Sequence, residues 1–290
     1  MKKRALVLAG GGSKGAYEAG AIKYLVGEKK IHYTLNVGIS AGAINVAHLG
    51  QFEKGKEEKA ASTLVDEWLN VSTEDVYKRF FPFGILHAAW QPSMYNSEPL
   101  RKWITERIDV DKLIRSGKDV LVGAVSLDTG KTRYFTQAYE KFIDAVLASS
   151  SFPVALLPIQ IDNEFYTDGG VRDIAPIGAA IKAGAVDIDI VLTSPEESSL
   201  ERLDDPNVID VLVRVIDIMS DEIIAGDIRE AQLINALVLA GDGVGKKMVN
   251  MRIIRPSKVL IKDSLDFKHA MLEKMIDTGY EDAKRICEEE

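Results

Sequence analysis

The chain opens with a change of hydrophobic period. Ala5-Leu6-Val7-Leu8-Ala9 is an unbroken apolar run that stops at glycine, the pattern of a strand buried on both faces. Residues 10–15 form a glycine-rich loop. Over residues 16–28, apolar positions recur at helical spacing: Ala16, Ala19, Ile22, Leu25 and Val26. Residues 34–39 predict a second strand, and the small apolar stretch 41–49 a second helix. Strand, glycine loop, helix, strand, tight turn and helix is a βαβ opening. It predicts a three-layer α/β/α fold with a mostly parallel central sheet.

The pattern continues in kind. Residues 53–75 are charged and helical in spacing. Residues 97–107 predict a helix with Ser97 as N-cap and Pro99 in its first turn. Strands at 120–127 and 132–136 flank Asp128-Thr129-Gly130-Lys131, a hairpin turn. A helix over 141–149 ends before Pro153 and Pro158, and a second hairpin pairs 160–161 with 165–167 around Asp162-Asn163-Glu164. A short helix (177–183) and a buried strand (188–193) follow. Two helices are predicted at 205–219 and 221–240, then a strand at 251–254 and a closing helix at 268–286. No linker-like composition interrupts the chain, so one domain over 1–290 is the expectation.

Composition narrows the function classes. Of 290 residues, 46% are hydrophobic and 28% charged, the balance of an ordinary globular protein. A net charge of −8 speaks against general nucleic-acid binding. The single cysteine, Cys287, excludes an intrachain disulfide and a cysteine-based metal site. No window approaches the ~18 apolar residues of a membrane-spanning helix. The expected location is the cytoplasm.

Candidate chemistry centres on glycine loops. Gly10-Gly11-Gly12-Ser13-Lys14-Gly15 contains G-x-G-x-x-G between a strand and a helix. A dinucleotide site would need an acid at the end of the second strand to hold the ribose. That strand ends instead in Gly38-Ile39-Ser40-Ala41-Gly42, a G-x-S-x-G. Two apparent phosphate loops also fail, because Val125 and Ala240 stand where their first glycines belong. The loop at 10–15 keeps its physics: backbone N–H groups at a helix start favour a developing negative charge.

G-x-S-x-G after a strand and before a helix is the setting of a nucleophile elbow. Ser40 then needs a base. The chain has four histidines: His32, His48, His87 and His269. Only His269 follows the serine late enough for the α/β-hydrolase order, and it opens a helix without turn chemistry. No pair has metal-ligand spacing. The other candidate base is Asp168, in Tyr166-Thr167-Asp168-Gly169-Gly170 at a strand end.

Together these three blocks resemble the patatin-like phospholipase family. Leu6-Val7-Leu8-Ala9 through residues 10–22 is similar to the family's strand, glycine loop and first helix, and Gly38 to Asn45 to its elbow. Ala148-Ser149-Ser150-Ser151-Phe152-Pro153, on to Val171, is similar to its aspartate block. The resemblance is clear over residues 4–194; residues 195–290 read as a mostly helical extension. It implies a serine lipid acyl hydrolase of phospholipase A, lysophospholipase or carboxylesterase type, working through an acyl-enzyme without cofactor or metal. Ser40 would be nucleophile and Asp168 general base. The Gly10, Gly11, Gly12, Lys14 and Gly15 loop would form the oxyanion hole, with Gly38, Gly42, Gly169 and Gly170 as supports.

The implied partner is a phospholipid, lysophospholipid or other fatty-acyl ester. Residues 77–95 hold Phe80, Phe81, Phe83, Ile85, Leu86, Trp90 and Met94 beside Lys78 and Arg79. They suit an acyl groove, peripheral contact with the inner membrane surface, or packing on the core. An acyltransferase using the same serine, or a non-catalytic lipid-binding regulator, are the alternatives.

Overall fold

A computed structural model describes residues 3–79, 93–196, 208–243, 245–261 and 263–289. Strand β1 (Lys3–Leu8) leads through residues 10–14 into helix α1 (Gly15–Ile22), which continues as a π-helical segment over Lys23–Glu28. Then come β2 (Leu35–Gly38), α2 (Ala41–Gly50), α3 (Glu57–Asn70) and α4 (Thr73–Val76). Two-residue strands β3 (Lys78–Arg79) and β4 (Tyr95–Asn96) pair as a small ribbon. The chain continues with α5 (Glu98–Arg107), α6 (Val110–Arg115), β5 (Asp119–Ser126), β6 (Thr132–Thr136), α7 (Phe142–Ser149), β7 (Ile159–Ile161) and β8 (Glu164–Asp168). It closes with α8 (Ile177–Lys182), β9 (Ala185–Val191), α9 (Val208–Leu239), β10 (Asn250–Ile254) and α10 (His269–Glu288).

The main sheet runs β10-β9-β1-β2-β5-β8-β7, with β6 also paired to β5. Its first four pairings along that order, from β10 to β5, are parallel, and the β5, β6, β7 and β8 pairings are antiparallel. Side chains of a strand alternate between faces, and β1 shows how this splits the core. Leu6 and Leu8 join one hydrophobic cluster with α1, α2, α3 and α10. Ala5 and Val7 join another with α8 and Ile224 of α9. Helices therefore cover both faces, as the sequence pattern predicts.

One pairing detail places the chemistry. Val122 of β5 lies opposite Gly38 of β2 and also opposite Phe135 of β6, so β2 and β6 occupy opposite edges of β5. Ala124 lies opposite Arg133 of β6 and Asp168 of β8. Hence β8 takes the same edge as β2, just beyond the point where β2 stops. The two strands run toward each other and meet end to end.

One difference from the sequence expectation concerns the C-terminal third. The two helices expected at 205–219 and 221–240 are one helix, α9. Ser220-Asp221 looks like an N-cap in sequence, but no glycine or proline breaks the helix there. The strand expected at 251–254 is β10, which pairs in parallel with β9 at one edge of the sheet. No helix among the described residues is long and apolar enough to cross a membrane.

Candidate active site

The site is built where β1, β2 and β8 end. After β1, Gly11 (φ 146°) and Gly12 (φ 57°) take backbone angles that side-chain-bearing residues rarely adopt. The loop is tied from two sides. Thr193 Oγ1 donates to the Gly10 carbonyl at 2.6 Å, and the Ser13 N–H donates to the Ser264 carbonyl at 2.8 Å. The N–H groups of Gly11 and Gly12 have no partner among the described residues. Gly10, Gly11, Gly12 and Lys14 line the adjoining pocket. Gly15 does not; it starts α1 packed against Trp68 and Ala41.

After β2 the backbone reverses through Ser40, at φ 55° and ψ −127°. This is a strained conformation for a residue with a Cβ, as expected of a nucleophile elbow. The turn is possible because the backbone closes on itself: a Cβ on Gly42 would lie 2.4 Å from the Ala9 carbonyl oxygen, and one on Gly38 2.3 Å from that of Gly42. Ser40 is held from α7. Its N–H donates to Ser149 Oγ at 3.0 Å, and Ser150 Oγ donates to its carbonyl at 3.0 Å.

Asp168 ends β8 and is 3% exposed. Its N–H donates to the Ser151 carbonyl at 3.0 Å, and the neighbouring Thr167 Oγ1 donates to the same oxygen. Its Oδ1 accepts the Gly170 N–H at 2.8 Å. Burial pushes the carboxyl up to about 7, partly opposed by the Gly170 N–H and by the nearby Ser40 hydroxyl. The geometry stops short of a closed bond to serine, since Asp168 Oδ2 is buried without a partner among the described residues. Catalytic hydrogen bonds commonly tighten only when substrate is present.

Ser40, Asp168 and the glycine loop share one pocket. Its apolar wall includes Ile44, Val76, Leu100, Trp103, Leu156 and Phe267. Arg214 and Ser220, from α9, and Ser264 contribute polar wall beside Lys14. Neither Lys14 nor Arg214 forms an ion pair with a described residue. Most of the aromatic segment expected near an acyl groove, residues 80–92, lies outside the described residues. Met94 bonds through its backbone to Val154 and is not in the pocket wall.

The described histidines are engaged elsewhere. His32 contacts Glu57, His48 is buried against Ala60, Thr63 and Glu67, and His269 meets the Leu69 carbonyl. His87 lies outside the described residues. No group of three His, Cys, Asp or Glu among the described residues could hold a metal ion.

Sequence reasoning passed over the serine clamp. Ser149, Ser150 and Ser151 stood only as an approach to the aspartate block, yet they hold both Ser40 and Asp168. Three consecutive serines at a helix end are the available signal, because hydroxyls there tend to bond backbone. Trp103, Arg214 and Phe267 gave no local signal; the fold alone brings them to the pocket.

Comparison with known proteins places the chain in a family. The family model described as patatin-like phospholipase matches residues 6–181. Over 199 residues the chain is 26% identical to the uncharacterized protein YjjU of Escherichia coli (strain K12), covering 67% of this chain and 52% of that one. Over 195 residues it is 27% identical to the probable lipid hydrolase 463L of Invertebrate iridescent virus 6, covering 62% and 63%. The chain thus spans between half and two thirds of these curated relatives. The crystal structure of VipD from Legionella pneumophila superposes over 99% of this chain and 67% of its own, with a TM-score of 0.51 and 14% identity, a likeness of fold. A glycine loop, a serine elbow and a buried aspartate converge on one pocket inside a span the family model covers, and the chain belongs to the patatin-like phospholipase family.

Proposed function

We propose that the chain hydrolyses fatty-acyl esters through a Ser40–Asp168 dyad. The observation that carries this reading is the meeting of β2 and β8 on one edge of β5. It sets a serine on a strained turn beside a buried carboxyl, at the wall of an apolar pocket. Asp168 takes the proton as Ser40 Oγ attacks the ester carbonyl. The oxyanion is received by the Gly11 and Gly12 N–H groups. Collapse expels the alcohol, which takes the proton, and leaves the acyl group on Ser40. Water then attacks that ester with Asp168 again as base, returning Ser40 and releasing the fatty acid.

A carboxyl raised by burial suits this role, since a base works best with a pKa near the working pH. The apolar wall fits an acyl chain. Lys14 and Arg214 fit an anionic head group, which favours a phospholipid or lysophospholipid over a neutral ester. Turnover of a p-nitrophenyl ester chain-length series by wild type and Ser40→Ala, with fluorophosphonate labelling, tests the reading. Labelling and turnover that depend on Ser40 support it; equal turnover by Ser40→Ala overturns it.

A further inference from the structure

Three buried side chains join the helices that leave the two halves of the site. Helix α1 starts directly after the glycine loop and carries Glu18. Helix α2 starts directly after Ser40 and carries Asn45. Asn45 Nδ2 donates to Glu18 Oε2 at 2.8 Å and to the Gly15 carbonyl at 3.2 Å. The Trp68 indole N–H donates to Asn45 Oδ1 at 2.8 Å. The amide therefore uses both its donor and its acceptor ends. Turned over, it would face one N–H with another and one carbonyl with a second.

Packing confines the same spot. Glu18 and Asn45 are fully buried and Trp68 is 5% exposed. A Cβ on Gly15 would fall 2.5 Å from the Trp68 ring and 2.8 Å from the Ala41 Cβ. The start of α1, the start of α2 and the indole are thus in mutual contact. No cation pairs with Glu18 among the described residues, and burial holds its carboxyl well above the usual range. The link between the two helices rests on hydrogen-bond geometry and packing.

We infer that Glu18, Asn45 and Trp68 form a positioning network that fixes the distance between the Ser40 hydroxyl and the N–H groups of the glycine loop. This rests on the hydrolase reading above. Glu18 and Asn45 are positioning residues: they act through the two helix starts. A shift of about 1 Å between nucleophile and oxyanion donors can cost ~10²-fold in rate while leaving chain binding untouched.

Glu18→Leu removes the acceptor at similar bulk, and Glu18→Gln keeps it. The measurements are kcat and KM on a p-nitrophenyl ester, and hydrogen exchange of the amides at residues 10–15. Glu18→Leu should lower kcat about 10- to 100-fold with KM within about twofold, and should speed loop exchange roughly tenfold. Glu18→Gln should stay within about threefold of wild type in both. Should Glu18→Leu not fold, Asn45→Ser, too short to reach Glu18 or Trp68, carries the same comparison. A folded Glu18→Leu or Asn45→Ser with unchanged kcat overturns the inference. So does a rise in KM alone, or an equal loss in Glu18→Gln. If wild type shows no Ser40-dependent turnover, the hydrolase reading falls, and loop exchange alone decides whether the network holds the loop.

Discussion

Glu18 offers a sharp test of buried-acid chemistry, because its proton should be visible in the pH dependence of stability. The carboxyl is fully buried, Asn45 is its one hydrogen-bond partner among the described residues, and burial raises it well above its ordinary value of 4.5. In the unfolded chain it ionises near that ordinary value. Above about pH 4.5 the unfolded state therefore gives up a proton that the folded state keeps. Stability is therefore fully present below the unfolded value and is lost as pH rises toward the folded one, by up to about tenfold in the folding equilibrium per pH unit. Glu18→Gln removes the titration and keeps the acceptor for Asn45. It also places N–H groups where Glu18 Oε1 has no described partner, a cost of roughly 1–3 kcal/mol that does not vary with pH. The informative quantity is thus the slope and not the offset. Urea denaturation at pH 5, 6 and 7, followed by tryptophan fluorescence, should show the variant gaining on wild type as pH rises, by up to about tenfold in the folding equilibrium per unit. Parallel curves would mean that Glu18 titrates alike in the folded and unfolded states, and would refute the raised carboxyl.

Other outcomes follow from the same geometry. With Asp168 as base at about 7, kcat/KM should fall tenfold per unit below that pH and level off above it, and Asp168→Asn should lose turnover; a plateau already reached at pH 5 would rule out the raised carboxyl. Ser40 at φ 55° carries strain that glycine does not, so Ser40→Gly should be more stable than Ser40→Ala by about 1 kcal/mol in thermal denaturation; the usual order, alanine above glycine, would deny the strain. Gly12→Ala places a methyl 2.2 Å from the Ser264 carbonyl oxygen at φ 57°, so the loop must move, and turnover should drop at least 10²-fold with the ester series as readout.

What could be read from the sequence was what lies close along the chain. The glycine loop, the serine elbow and the Asp-Gly-Gly turn each announce themselves within six residues, because tight turns impose local chemistry. The strand and helix periods around them were equally local. What could not be read depends on distant partners. Glu18 and Asn45 look like polar interruptions of apolar helices until the helices are packed side by side. Ser149 and Ser150 look like a helix end until Ser40 arrives between them. The unbroken run of α9, where two helices were expected, reflects the absence of glycine or proline at Ser220-Asp221. Arg214 enters the pocket from beyond the residues that carry the family motifs, so no motif could assign it.

The end-to-end meeting of β2 and β8 also sets when, during folding, the pocket becomes competent. Gly38 meets Val122 across 84 residues and Asp168 meets Ala124 across 44, so both halves of the site wait on long-range pairings. Pairings of such separation close slowly. A slip of one residue in β8 would turn Asp168 to the opposite face of the sheet, with little change in helix content. Recovered turnover is therefore a finer proofreader of the finished sheet than circular dichroism. On refolding from urea it should return last, after the helical signal is complete.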